Sequence, residues 1–397
     1  MRILHITPTY IPAYRYGGPI YSVHALCRGL AAIGHCVHVL TTSVDGSHDS
    51  DVPHDRPVDL DGVLVHYCRS SLLRRLYWSA DLNVRCAAMV GGFDAVHLHS
   101  VFLFPTWAGA RAAGRARVPY VLSPRGMLVG DLIKRRSSVV KRGWILLIER
   151  GNLARAARIH LTSEEERRAL VNVGLALAPT TVIPNGVDVP VSFSPDEVSP
   201  DVRQLVAEGF DILSFGRINW KKGLDRLIQS AAEMQRVKVL IAGHDEDGLA
   251  ANLRKLAEQH GVGDRVLFLP RQISGPDKEA LFAAARLFAL PSLSENFGNV
   301  VVEAMIRGLP VVVTAGVGAA EIVEESGGGA VAPADPKGFA AKVASLLESD
   351  ERLAVMGAAG AAYARQQLSW NSIAHRFGEL YRIISSQNGG SRESMAA

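Results

Sequence analysis

Two successive series of short apolar runs constrain this chain more than any other feature in it. The first occupies residues 3–7, 37–41, 64–67, 95–99, 120–123 and 159–162, and stretches of helical period separate the runs, the first (about 20–33) stopped by Gly34. The second runs through 212–215, 238–242, 266–269, 287–290, 311–314 and 330–331. Strands that alternate with helices predict parallel sheets covered on both faces. Between the series, Val182–Asp188 ends a strand in a turn, and the stretch to about Pro200 is rich in Pro, Ser and Asp. With 397 residues, more than one hydrophobic core usually holds, the expectation is two doubly wound α/β domains, 1–188 and 189–369. A helical pattern at 370–386 follows and is expected to cross back to the first domain, and the tail 387–397 is expected to be disordered. Ligands of such sheets bind outside the carboxyl ends of the strands, which predicts a site in a cleft between the domains.

Other classes lose support. No apolar run approaches the roughly 18–20 residues of a membrane span, and the strand-like run after Met1-Arg2 breaks at Pro8, unlike a signal peptide. The four cysteines, 27, 36, 68 and 86, lack C-x-x-C spacing, so a reducing cytoplasm and no zinc site are expected. Gly316-Val317-Gly318 lacks the third glycine of a dinucleotide fingerprint, and there is no P-loop motif. Charge is uneven: residues 111–158 hold twelve Lys or Arg against Asp131 and Glu149, while the whole chain nets +4. Such an excess fits an anionic partner. Within it, the basic residues of 134–142 precede Trp144 and an aliphatic run to 148, which fits peripheral contact with anionic lipid.

Several stretches at predicted strand ends can carry chemistry. Ser294–Glu303 reads as a tight loop running into a helix start, with Glu295 and Glu303 eight residues apart and Gly298 between them. Gly216–Gly223 follows the first strand of the second series; Arg217 supplies a fork of donors and Lys222 a compact charge, a pair suited to a diphosphate. In the first domain, His97 and His99 share a strand face, and a His pair at this spacing lacks an evident third metal ligand. Ser123-Pro124-Arg125-Gly126-Met127 ends another strand. Asp245-Glu246-Asp247 resembles a metal-binding D-x-D, but its place before a helical stretch is explained more simply by capping.

Glu295 with Glu303, Gly216-Arg217 with Lys222-Gly223, Ile183-Pro184-Asn185-Gly186-Val187-Asp188, and the early Gly17-Gly18-Pro19 together resemble the retaining glycosyltransferases of family four, which have the GT-B fold. The resemblance covers nearly the whole chain in order. It implies two Rossmann-like domains facing across a cleft that closes about Asn185-Gly186. It also implies donor binding by Gly18, Arg217, Lys222, Glu295, Gly298, Asn299, Val300 and Glu303. Arg217 and Lys222 would take the diphosphate with the N–H groups at Asn299 and Val300, Glu295 the sugar hydroxyls, and Glu303 the ribose. Catalytic roles fall on Arg217, Lys222, Glu295 and His99, and Gly17 and Arg125 lie near the sugar or acceptor. Where many relatives have a His or Gly-rich element beside the sugar, this chain has Arg125.

The resulting expectation is transfer of a hexose, with retention, from a nucleotide diphosphate sugar to a hydroxyl acceptor, with a lipid-linked saccharide favoured by the basic segment. No metal, no other cofactor and no nucleic acid are expected. A nucleotide-sugar epimerase or hydrolase of the same fold, and a non-catalytic nucleotide-sugar-binding partner, are the alternatives; turnover of donor without acceptor separates the first, and binding without turnover the second.

Overall fold

The structure is a computed structural model and describes residues 1–128, 143–144, 148–245 and 248–394, with side chains described to 387. The chain divides into two compact units, Met1–Gly186 with Trp370–Ala397, and Val187–Ser369.

Among the described residues, unit 1 has ten strands. In chain order they are β1 (Arg2–Ile6), β2 (Cys36–Thr42), β3 (Val44–Asp45), β4 (His48–Asp49), β5 (Val58–Leu60), β6 (Val63–Cys68), β7 (Ala95–His99), β8 (Tyr120–Ser123), β9 (Arg158–Leu161) and β10 (Thr180–Val182). Eight of them form one sheet in the order β10-β9-β8-β7-β1-β2-β6-β5. All neighbours are parallel except β5, which runs antiparallel to β6 with Val58 opposite Val65. The sequence expectation of parallel strands missed this edge and the small β3–β4 hairpin. Two- and three-residue strands carry too little apolar pattern to stand out from a loop.

Successive residues of a strand face opposite sides of a sheet, and the cores follow that rule. Leu4, Ile6, Val96, Leu98 and Leu122 pack on one face with the helices Ala80–Met89 and Phe104–Ala116. Ile3, Val37, Val39, Val65 and Val121 pack on the other with Leu26 and Leu30 of the helix Gly18–Ala32 and with Ile373, Phe377, Tyr381 and Ile384. Those last four residues belong to the helix Trp370–Ser394, which therefore completes the core of unit 1. That helix runs on through residue 394, past the end at 386 expected from the sequence. Extending a formed helix costs far less than nucleating one, even through Gly389-Gly390.

Among its described residues unit 2 has six parallel strands, β11 (Ile212–Phe215), β12 (Val239–Ala242), β13 (Val266–Leu269), β14 (Leu287–Leu290), β15 (Val311–Thr314) and β16 (Gly329–Ala332). Their order is β13-β12-β11-β14-β15-β16. This is the doubly wound order whose direction of winding reverses between the first and fourth strands of the unit. Alternate residues again separate two cores, with Leu213, Phe288 and Val313 on one face and Ile212, Leu287 and Val312 on the other.

Candidate active site

The reversal in unit 2 leaves an open crevice where the chain leaves β11 and β14, and the two loops singled out by sequence are the ones that leave there. After β11, residues 216–223 turn into the helix Leu224–Glu233; after β14, residues 291–298 turn into the helix Asn299–Ile306. The backbone N–H of Leu293 donates to the carbonyl of Lys221 at 2.8 Å, so the loops are joined. Gly223 sits at φ 63°, and a Cβ there would stand 2.1 Å from the Pro291 carbonyl oxygen. Only glycine lets the loops approach this closely.

Lys222 Nζ lies 2.7 Å from Glu295 Oε1, both side chains mostly buried, and Ser292 Oγ donates to the same oxygen at 3.4 Å. The backbone of Glu295 is fixed independently: its N–H donates to the Gly316 carbonyl, and its own carbonyl accepts from Gly318 N–H. Gly298, at φ 90°, caps the next helix, and a Cβ there would press on Val317 at 3.0 Å. The helix start at Asn299 and Val300 presents the N–H end of the helix dipole.

Glu303 lies one turn further along the same helix. Its Oε2 pairs with Lys278 Nζ at 2.9 Å, and that ammonium also stands 5.7 Å from the ring centre of Phe215, the last residue of β11. Lys278 was not foreseen, because nothing in the helix Gly275–Ala284 distinguishes it locally from a surface lysine. Arg217 is exposed on the loop after β11. Asp245 accepts from the N–H groups of Leu249 and Ala250 at 2.8 and 3.1 Å, which is the capping role expected of it; Glu246 and Asp247 lie outside the described residues.

In unit 1 the histidines belong to a buried polar network on the face covered by the C-terminal helix. The sheet supplies the third ring that local sequence did not: β1 and β7 are neighbours and His5 is in register with His97. His5, His97 and His99 present nitrogens within 4.8 Å of one another, a spacing that could hold a metal ion. The hydrogen bonds fix where the ring protons lie. A guanidinium can only donate, so His99 Nδ1 accepts from Arg125 Nη2 at 3.2 Å. His99 Nε2–H must then donate to His5 Nδ1 at 2.9 Å, which leaves the His5 proton on Nε2. That Nε2 is buried and has no partner among the described residues.

A second chain is fixed from its other end. The Ile183 carbonyl can only accept, so His160 Nε2–H donates to it at 2.8 Å; Ser123 Oγ–H then donates to His160 Nδ1 at 2.6 Å. His97 Nε2–H donates to Ser123 Oγ, and Tyr381 Oη–H to His97 Nδ1, each at 2.7 Å. In this arrangement each of the four rings is neutral and its lone pair accepts a hydrogen bond. Burial agrees, pushing His5 and His160 down to about 3 and His97 and His99 well below their ordinary value, with neighbouring rings and Arg125 adding to the effect.

His99 is thus inside, 1% exposed, and the half-buried residue that extends from this network is Arg125. Its Nη1 also donates to Ser22 Oγ and Asn185 Oδ1 at 3.2 and 3.3 Å. Ser22 is in the first turns of the helix that Gly17 caps and Gly18 begins, so Gly17, Gly18, Asn185 and Arg125 gather at one end of the sheet. Arg125 sits at φ 55°, in a turn held by Glu166, whose carboxylate accepts from Gly126 N–H and Thr162 N–H, both at 2.7 Å. Glu166 was not singled out by sequence; it stands forty-one residues further along the chain. The basic segment 134–142 and residues 145–147 lie outside the described residues.

A doubly wound unit carrying a Lys–Glu pair and a helix N-terminus at its winding reversal, in one chain with a second doubly wound unit, is the GT-B class of fold. Residues 197–363 match the family of glycosyl transferases group 1, and residues 17–186 match the glycosyl transferase 4-like domain. The chain belongs to the group 1 glycosyltransferases.

Among curated proteins it is similar to a D-inositol 3-phosphate glycosyltransferase of Mycolicibacterium paratuberculosis, 35% identical over 224 residues, which are 54% of this chain and 50% of that protein. The corresponding Mycobacterium marinum protein is 29% identical over 76% of this chain and 66% of its own length. The chain thus spans about half to two thirds of these relatives. Among solved structures, a sucrose-phosphate synthase from Thermosynechococcus elongatus superposes with a TM-score of 0.72 at 22% identity, covering 98% of this chain and all of that one. Anabaena HepE in complex with UDP-glucose gives a TM-score of 0.71 at 23% identity, covering 96% and 99%.

Proposed function

We propose that the protein is a retaining hexosyltransferase that takes its sugar from a nucleotide diphosphate donor and delivers it to a hydroxyl acceptor without a metal ion. The observation that carries this reading is the Lys222–Glu295 pair set beside the helix start at Gly298-Asn299, at the winding reversal of unit 2. Lys222, Arg217 and the first N–H groups of that helix supply positive potential where a diphosphate leaves, so the bond to the anomeric carbon loosens as the phosphate oxygen takes its electron pair. The acceptor oxygen bonds to the anomeric carbon on the same face, and its proton passes to the departing phosphate oxygen. Glu295 orients sugar hydroxyls and Glu303 the ribose.

Arg125 lies near the sugar or acceptor in this reading. Its Nε is buried and has no hydrogen-bond partner among the described residues, which leaves a donor for a ligand oxygen. His99 acts through Arg125, holding its guanidinium in place. HepE, solved with UDP-glucose, supports a uridine nucleotide as the first donor to try. The phosphorylated acceptor in the name of the inositol phosphate relatives and the basic segment both favour an anionic acceptor, with a lipid-linked saccharide at the cytoplasmic membrane face one such class.

The test is turnover with UDP-, GDP- and ADP-glucose against a panel of phosphorylated and lipid-linked sugars, the product anomer being read by NMR. Retained configuration and activity unchanged by EDTA are expected. Inverted product, or activity lost to EDTA and restored by Mg²⁺, would overturn the reading.

A further inference from the structure

A separate basic cavity lies in unit 1, at the end of the sheet away from Arg125. It occupies about 990 Å³ where β8 and β9 begin, and Arg111, Arg115, Arg117 and Arg155 line it with Trp107 and Ile384. Among the described residues that line it, none is an Asp or Glu. Arg115 and Arg155 fall in the last turns of the helices Phe104–Ala116 and Arg150–Arg155, where a cation complements the helix dipole. That accounts for two of the four arginines, and does not account for all four converging on one cavity of ligand size.

All four arginines are exposed, and one of them is placed by an aromatic ring. The Arg111 guanidinium lies over the Trp107 indole, 5.2 Å from the ring centre. The Tyr120 hydroxyl donates to the Asn152 carbonyl at 2.6 Å, and Arg155 lies near enough to act on it electrostatically. Guanidinium forks match phosphate oxygens two at a time, while Trp107 and Ile384 offer apolar wall beside them. Four of the twelve basic residues of the segment 111–158 are thereby gathered at one place.

We propose that this cavity binds the phosphate group of a molecule that also carries an apolar part, at a site distinct from the donor and acceptor sites. Both a phospholipid headgroup and a soluble organic phosphate have this chemistry. The experiment uses the full chain and three probes: phenyl phosphate by calorimetry, and sedimentation with phosphatidylcholine vesicles with and without phosphatidic acid.

Arg115→Gln/Arg155→Gln is expected to weaken binding about tenfold or more, and Arg115→Lys/Arg155→Lys to weaken it in part, since Lys keeps the charge and loses the fork. Lys222→Ala is expected to leave it unchanged. Loss of phenyl phosphate binding in the Gln pair supports a soluble source, and loss of phosphatidic acid-dependent sedimentation supports a lipid source. Failure of every probe to bind would overturn the proposal. So would an equal loss in the charge-matched control Arg236→Gln/Lys255→Gln, or binding abolished by Lys222→Ala. Thermal midpoints of the variants separate loss of the site from loss of the fold.

Discussion

At the scale of single residues, the proposed donor site is a set of charges already paired with one another. Lys222→Ala removes the cation nearest the expected leaving group and also strands Glu295 in a mostly buried place. We expect kcat/KM to fall roughly 100-fold or more, with weaker nucleoside diphosphate binding in calorimetry. A near-normal variant would remove Lys222 from the mechanism. Lys278 makes a different prediction. It holds the Glu303 carboxylate from a neighbouring helix, so Lys278→Ala should raise the donor KM several-fold, on the order of 1 kcal/mol, with kcat little changed. A fall in kcat alone would place Lys278 elsewhere in the reaction. Arg125→Lys keeps the charge but cannot reach His99, Ser22 and Asn185 together, so it should lose activity almost as fully as Arg125→Ala.

At the scale of elements, the buried histidines couple the fold of unit 1 to pH. In the folded chain His5 and His160 bind a proton only near pH 3, whereas unfolded histidines do so near 6.5. Below about 6.5 the unfolded state therefore binds more protons, and stability falls as pH falls through the window from 6.5 toward 3. His97 and His99 act in the same direction, also through burial. Urea midpoints should drop steeply below about pH 6 and be nearly flat just above about pH 7, as far as these groups are concerned. A flat profile across the acid window would show that the rings titrate freely.

The elements also mark what local sequence can convey. Apart from the three-residue β10, the parallel strands were legible because each is a run of four to seven largely apolar residues ended by Gly, Pro, Ser or a polar turn, and the loops after β11 and β14 stood out because glycine and charge stand together in them. His5 as a partner of His99, and Tyr381 as a partner of His97, were not legible. Their separations, 94 and 284 residues, are closed only by sheet order and by the last helix. The short edge strand β5 and the helical residues 387–394 were missed for the opposite reason: pairing and propagation, rather than composition, fix them.

At the scale of the whole chain, the two units share one architecture and differ in what they offer. Unit 2 presents preset charges and a helix N-terminus; unit 1 presents Arg125 over a network of neutral rings. Because the lone pair of each of the four rings accepts a hydrogen bond, added Zn²⁺ should neither raise the thermal midpoint of the chain nor be retained through gel filtration. Stoichiometric retention lost in His5→Ala would show that the rings rearrange to bind it. Connectivity has a consequence for biosynthesis. Unit 2 is inserted between Gly186 and Trp370, and its two ends are tied where Val187 N–H donates to the Leu368 carbonyl at 2.7 Å. A chain made from its amino end releases unit 2 entire before the helix that closes unit 1 has been synthesised. The first unit begun is then the last one finished, and until residues 370–384 emerge, the face of its sheet that holds the histidines waits uncovered for a chaperone or for its own carboxyl-terminal helix.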